Sequence, residues 1–459
     1  MNSRLPAITE PLPIPSNKKH SGASAFLGTF GANVLIQACG VLQGVLIARL
    51  LGPVGRGEYA AVILWPGVFA TLGIFGSNIA LSRAATRCED LGSIIRTAIV
   101  LALITACISG LVCYFALPFL LPQAERHLLT ISQLFVIFIP LNHLALNLNS
   151  IEQGIGDFIR FNITRLILNP LYVLMVVALW VLGIREVAWY AIALLLANLA
   201  VVLVRMGLAL RAHSLFGPLY SLANVVKGSM HFGLAGIAQP LYQQADKALL
   251  LWLLGSRDLG LYMVALSASG VIGSVTNASG VVSFTMAAQA GSGEGFERIA
   301  KAFRMSLLLW IILGGLLAFV MPWVLPLIYG RGFSDAISPA RLLIIGSAFG
   351  GLANLLEQAM RGQGRAFVGL EGRAFGLVAM ALGGIYLSSP LGISGICVAY
   401  IAGQSICLGV ILRRVNQHYG IRGIAGYIPR VNEFRELSVR IGNQLLARIR
   451  TRPADGRSA

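Results

Sequence analysis

The chain has 459 residues, 56% of them apolar and only 12% charged, with a mean hydropathy of +0.78. Soluble domains carry roughly 25% charged residues, so this chain cannot cover a globular surface and must lie largely in lipid; collagen-like, coiled-coil and disordered classes fall with the same figures. The net charge of +17 comes from 35 Lys+Arg, thirty of them Arg, which punctuate hydrophobic runs instead of forming one patch, as topology signals do and as a nucleic-acid surface does not.

A span needs about 20 mostly apolar residues to cross the hydrocarbon layer. Residues 1–24 hold four prolines and no apolar core, and read as a polar cytoplasmic arm. Twelve apolar runs follow, at 25–50, 59–83, 94–120, 128–151, 163–183, 187–209, 231–254, 260–287, 305–328, 338–360, 374–388 and 391–412. With the N-terminus inside, inner segments hold 27 Lys+Arg and outer ones 8, or 17 against 8 without the C-terminal tail, so both termini are expected in the cytoplasm. From Arg413 the tail carries ten Arg, and Phe434, Leu437, Ile441 and Leu445 fall at helical spacing, as in an amphipathic helix lying on anionic lipid.

Self-similarity sets the architecture. Leu51, Gly52, Gly57 and Tyr59 spell L-G-x4-G-x-Y, and Leu254, Gly255, Gly260 and Tyr262 repeat it 203 residues later. Gly154 and Gly156 are echoed by Gly362 and Gly364 at an offset of 208. Copies six spans apart enter from the same side, giving parallel repeats with a cleft between them. The expected fold is all-α: an N-terminal six-helix lobe over 25–210, a cytoplasmic linker over 211–230, a C-terminal six-helix lobe over 231–412 and a basic cytoplasmic tail over 413–459.

Catalytic signatures are missing. There is no Gly-Lys dipeptide for a phosphate-binding loop and no His followed by Glu for a zinc hydrolase. The six cysteines form no C-x-x-C or Cys/His cluster, so no metal is expected. What remains is polar residues inside apolar helices, costly enough in hydrocarbon to face a cavity or a partner. Span seven places Gln239, Gln243, Asp246 and Lys247 at i, i+4, i+7 and i+8, and span ten places Asn354, Gln358 and Arg361 at i, i+4 and i+7 beside Glu357. Span four offers His143, Asn147 and Ser150, and span one Asn33, Gln37 and Gln43, with Gln43 at the position equivalent to Asp246. Four polar faces suggest one hydrophilic lumen, although Asn and Gln also bond neighbouring helices. An unpaired Asp246 would carry a proton, or pair with Lys247 or an Arg of another helix. Arginines near span ends, among them Arg49, Arg83, Arg96, Arg165, Arg341 and Arg361, would make the lumen cationic if turned inward, suiting an anionic substrate.

The stretch from Phe26 to Arg83, with LIARLLGPVGRGEYAAVILWP at its centre, resembles the first two helices of Wzx-type polysaccharide flippases of the multidrug/oligosaccharidyl-lipid/polysaccharide superfamily. YQQADKALLLWLLGSRDLGLYMVALS, from Tyr242 to Ser267, is similar to the start of that family's second lobe, and RGQGRAF, from Arg361 to Phe367, to its span-ten ending. The resemblance implies two six-helix lobes in the bacterial inner membrane that pass a polyprenyl-pyrophosphate-linked oligosaccharide outward by alternating access, for exopolysaccharide or O-antigen assembly. It implies no cofactor, an ion gradient of H+ or Na+ or the membrane potential as driving force, and a polymerase and glycosyltransferases as partners beside membrane lipids. By position it makes Asp246 a coupling candidate, beside Glu357, which its place in span ten makes another, and Arg49 and Arg83 pyrophosphate contacts. A cation-coupled multidrug exporter of the same superfamily is the alternative, and would want a more acidic and aromatic cavity. A major-facilitator protein would show G-x-x-x-D-R/K-x-G-R where this chain reads SRAATRCEDLGS, and a scaffold would use its polar stripes only to hold helices together.

Overall fold

The computed structural model describes residues 22–270 and 295–429, apart from 89, 215, 364 and 366. Among these, fourteen α-helices and three short 3-10 turns make up the molecule, without a strand. In chain order they are α1 (Gly22–Gly73), α2 (Ser77–Ala85), α3 (Leu91–Leu120), α4 (Leu129–Phe135), α5 (Phe138–Gly154), α6 (Phe158–Val181) and α7 (Val187–Ala212). Then come α8 (Leu222–Gly236), α9 (Ala238–Leu254), α10 (Ser256–Gly270), α11 (Gly295–Tyr329), α12 (Ile337–Gly362), α13 (Val368–Leu391) and α14 (Ile393–Tyr419). Eight helices are long and apolar enough to cross a membrane, and nine if the bent pair at Gln123–Phe135 and Phe138–Gly154 forms one span.

That number is smaller than twelve for local reasons. The first expected run and most of the second are one helix, α1, bent at Gly52, and the second run ends in α2. The seventh run is divided between α8 and α9, and the eighth passes from α10 into residues outside the described set. Residues 222–230, expected in the inter-lobe linker, already form the first turns of α8, which packs on α2. The N-terminal arm up to residue 21, Gly364 of the second glycine echo and the amphipathic tail helix lie outside the described residues.

The duplication is visible in the backbone. Gly52 has φ 68°, ψ −174° and Gly255 has φ 86°, ψ −175°. This is a region essentially closed to residues with a Cβ, and it breaks each helix at the same point of the motif. Pro53, which has no N–H to lose, suits the first position of the arm that follows. A further pair obeys the offset of the Gly154/Gly362 echo. The 3-10 turns Gln123–Leu128 and Arg331–Ala336 begin 208 residues apart, and each joins a long helix to the span behind it.

Close helix approach depends on small residues, as in other membrane bundles. A Cβ on Gly376 of α13 would lie 2.7 Å from the carbonyl oxygen of Gly403 on α14, and one on Gly403 would lie 2.8 Å from that of Gly376. The two motif glycines meet in the same way across the halves. A Cβ on Gly57 would stand 1.6 Å from Ser256 O, and one on Gly260 1.9 Å from Pro53 O. We call this region the glycine end. Here one apolar cluster joins both halves, running from Ala60, Leu117 and Phe135 to Leu250, Tyr262 and Tyr329. The remaining clusters each draw on one half's helices, with Val225 of α8 joining the N-terminal set.

Candidate functional site

Beside the joined end, the second arm of α1 and helices α4, α5 and α7 face α9 and α10 across a cavity of about 370 Å³. The N-terminal half contributes Thr71, Asn142, Phe135 and Phe138; the C-terminal half contributes Gln244, Lys247 and Met263. Lys247 is the charged residue of this lining. It lies eight residues before the break at Gly255, about 12 Å of helix. Its ammonium donates to the Gln243 carbonyl and to Gln244 Oε1, both at 2.7 Å, and no carboxylate among the described residues pairs with it. Three donors on a flexible stem, held only by neutral acceptors, leave a cation that can exchange into an anionic ligand.

Asp246 points the other way. Adjacent residues on a helix are about 100° apart, and this rotation takes the carboxylate into the C-terminal half, where it is 2% exposed. Its Oδ2 accepts the Tyr262 hydroxyl at 2.6 Å, while Oδ1 has no hydrogen-bond partner among the described residues. The tyrosine is the last residue of the repeated motif. Its counterpart Tyr59 is hydrogen bonded to the Tyr172 hydroxyl at 2.7 Å, and Tyr172 in turn donates to Tyr190 O at 3.2 Å. Gln43, at the position equivalent to Asp246, is half-buried, and its Oε1 has no partner.

Glu357 is also 2% exposed and is enclosed by cations. Arg361 donates to it from the same helix, and Arg373 of α13 reaches its two oxygens at 2.8 and 2.5 Å. The N-terminal half has the same device. Glu152 accepts Arg205 at 2.7 Å, and Arg205 also donates to Asn149 at 2.9 Å. Asn149, Glu152 and Gln153 recur as Asn354, Glu357 and Gln358, an N-x2-E-Q echo 205 residues apart that the sequence itself carries. Both carboxylates therefore sit in ion pairs that tie helices together within one half.

The other singled-out residues scatter. Asn147 is fully buried in the N-terminal half, accepting from Ser77 at 2.9 Å and donating to Ala98 O at 3.3 Å. His143 is equally buried, its ring nitrogens 2.9 Å from Thr105 Oγ1 and from Ala70 O. Gln37 and Gln243 are exposed; Gln239, Asn354 and Gln358 are half-buried, and none of the five lines the cavity. Arg49 and Arg83 are both exposed but lie beyond opposite ends of the second arm of α1, about 30 Å apart along the helix, so one pyrophosphate cannot bridge them. Arg49 sits at the glycine end and donates to the carbonyls of Leu327 and Ile328. Of the polar cavity residues, Thr71, Asn142 and Gln244 were not singled out. The stripe that matters on α9 is Gln244 and Lys247, one residue round from the stripe through Gln243 and Asp246. No cluster of metal-ligating side chains occurs among the described residues.

A family profile described as polysaccharide biosynthesis protein matches residues 25–290. Among solved structures, the lipid II flippase MurJ in an inward closed conformation superposes with a TM-score of 0.70 at 13% identity, covering 95% of this chain and 94% of that one. An inward-facing multidrug resistance MATE family transporter of the MOP superfamily gives 0.69 at 15% identity, covering 84% and 94%. An outward-facing MATE transporter gives 0.62 at 14% identity, covering 86% and 95%. No curated protein sequence matches the chain. At such identities the likeness is one of fold, and it agrees with two repeated halves meeting at one end. The chain is a multi-pass membrane protein with the all-helical fold of MOP-superfamily transporters, and it belongs to the polysaccharide biosynthesis protein family.

Proposed function

We propose that the protein carries a lipid-linked saccharide with an anionic phosphate or diphosphate link across the bacterial inner membrane, for assembly of a surface polysaccharide. The observation that carries this reading is the cavity between the halves, whose charged lining residue, Lys247, has no carboxylate partner among the described residues. Thr71, Asn142 and Gln244 beside it are donors and acceptors of the kind a sugar hydroxyl needs. Membership of a polysaccharide biosynthesis family supplies the saccharide. A cationic cavity suits an anionic headgroup and disfavours the cationic compounds expected of a drug exporter.

In this reading both termini are cytoplasmic, the glycine end faces outward, and a polymerase and glycosyltransferases work beside the protein. Binding energy at Lys247 moves the headgroup while the prenyl chain stays in lipid. Asp246, with one oxygen bonded to Tyr262 and the other unpartnered, is the proposed site of H+ or Na+ coupling. Glu357, already neutralised by Arg361 and Arg373, is proposed as scaffold instead.

The test is reconstitution in vesicles with a fluorescent polyprenyl-diphosphate oligosaccharide. Lys247→Ala should slow translocation at least tenfold, the order of losing one charge-assisted contact of about 1.5–3 kcal/mol, and Lys247→Arg should retain most of it. Equal rates in wild type and Lys247→Ala would remove the cavity from the mechanism.

A further inference from the structure

Arg49 and Trp252 occupy equivalent places in the two halves. They are 203 residues apart, the offset that relates Gly52 to Gly255, and each stands three residues before its glycine. Each also reaches across to the last turn of a long helix in the other half. Arg49 Nε donates to Ile328 O at 2.6 Å and its Nη2 to Leu327 O, near the end of α11. Trp252 Nε1 donates to Leu120 O at 2.8 Å, at the end of α3. Those two helices are themselves equivalents, because the 3-10 turns that follow them begin 208 residues apart. The relation between the halves therefore maps one bond onto the other. Both sets of acceptors are terminal helix carbonyls, which have no intrahelical donor and carry the negative end of the helix dipole.

We propose that Arg49 and Trp252 form one pseudo-symmetric clamp that holds the halves together at the glycine end, and that its Arg49 side alone is released by an anionic oxygen ligand. Both side chains are exposed, so neither bond is trapped inside the packed crossing of Gly57 and Gly260. The chemistry of the two sides differs. A guanidinium held by neutral carbonyls gains by exchanging them for phosphate oxygens, which accept two parallel charge-assisted bonds. An indole N–H is a single neutral donor and gains nothing comparable. Glu125, 5% exposed, adds a third cross-half bond by accepting Ser256 N–H at 2.8 Å, where α10 begins. Its equivalent in the other half is Phe333, so this bond has no symmetric mate. The clamp rests on the proposed function only in requiring that the halves part at this end.

The experiment measures the distance between spin labels on Gln123→Cys and Ser334→Cys, exposed residues of the two 3-10 turns, in full-length protein in lipid nanodiscs with Cys39, Cys88 and Cys107 replaced by Ser. Arg49→Met and Trp252→Phe should each shift the distribution to longer distances. Inorganic pyrophosphate should produce the same shift in wild type, in Trp252→Phe and in Arg49→Lys, which keeps the charge, but none in Arg49→Met. Unaltered distances in both single variants, or an equal response of Arg49→Met to pyrophosphate, would overturn the proposal. Retention of the thermal unfolding midpoint in Arg49→Met separates loss of the clamp from loss of the fold. No saccharide enters this measurement, so its failure leaves the flipping assay untouched and a failed flipping assay leaves the clamp standing.

Discussion

The two ends of the molecule differ in the polar bonds that cross between the halves: at the glycine end such bonds are added to pairs within one half, Glu58 with His127 and Arg257 with Asp335. Away from the glycine end, ion pairs stay inside one half: Glu152 with Arg205, Glu357 with Arg361 and Arg373, and Glu371 with Arg414. They staple neighbouring helices and do not themselves join the halves. At the glycine end the polar bonds of Arg49, Trp252 and Glu125 cross between halves, over a shared apolar cluster and two glycines in backbone contact. Two halves that part during the proposed transport need this division. Strong pairs with good geometry belong where nothing moves, and single bonds to helix carbonyls belong where the halves separate.

The largest effect should come from breaking a staple. Glu357→Ala leaves the Arg373 guanidinium, 12% exposed, without its carboxylate and should cost about 3–5 kcal/mol of stability, read as a lowered thermal unfolding midpoint in detergent. Glu152→Ala should cost a comparable amount, since Arg205 is 3% exposed. A loss below about 1 kcal/mol in both, the range of an exposed pair, would mean that these carboxylates are not scaffolds.

A glycine comparison sharpens the contrast at the joined end. Gly260→Ala puts a methyl group 1.9 Å from Pro53 O and should cost about 1–3 kcal/mol. Gly67→Ala, on the cavity wall in the interior of α1 with nothing within 4 Å, should be neutral or stabilise by about 0.4–1 kcal/mol. Equal effects of the two substitutions would contradict the close crossing. The smallest change is expected at Gln43, whose buried Oε1 has no partner. Gln43→Leu removes a buried polar group that makes no bond with that atom, so stability should hold or rise slightly in the same unfolding assay.

How much of this was legible beforehand differs from residue to residue. The L-G-x4-G-x-Y echo anticipated a turn that only glycine fits, and Gly52 and Gly255 adopt one conformation. That the two copies pack on each other was not readable, because a motif shows what backbone it permits and not what touches it. On α9 the polar stripe was visible but its direction was not. Hydrophobic periodicity cannot tell the face toward a cavity from the face toward a sister helix when both carry amides, and the rotation between Asp246 and Lys247 decided which one was charged. The sequence leaves Asp246 open between an unpaired carboxylate and a partner of Lys247 or an Arg; its Oδ2 accepts a tyrosine hydroxyl from the neighbouring helix. The N-x2-E-Q echo is carried by the sequence itself, at an offset of 205 that falls between the 203 and 208 of the other two echoes.

The most direct test of the central claim, that Lys247 and not Asp246 faces the opening between the halves, is sided labelling of single cysteines in membrane vesicles with an impermeant methanethiosulfonate reagent, in a background with Cys39, Cys88 and Cys107 replaced by Ser. Lys247→Cys should react readily from the side opposite the glycine end, and Asp246→Cys should stay unmodified from either side. Reaction at 246 with protection at 247 would contradict the account.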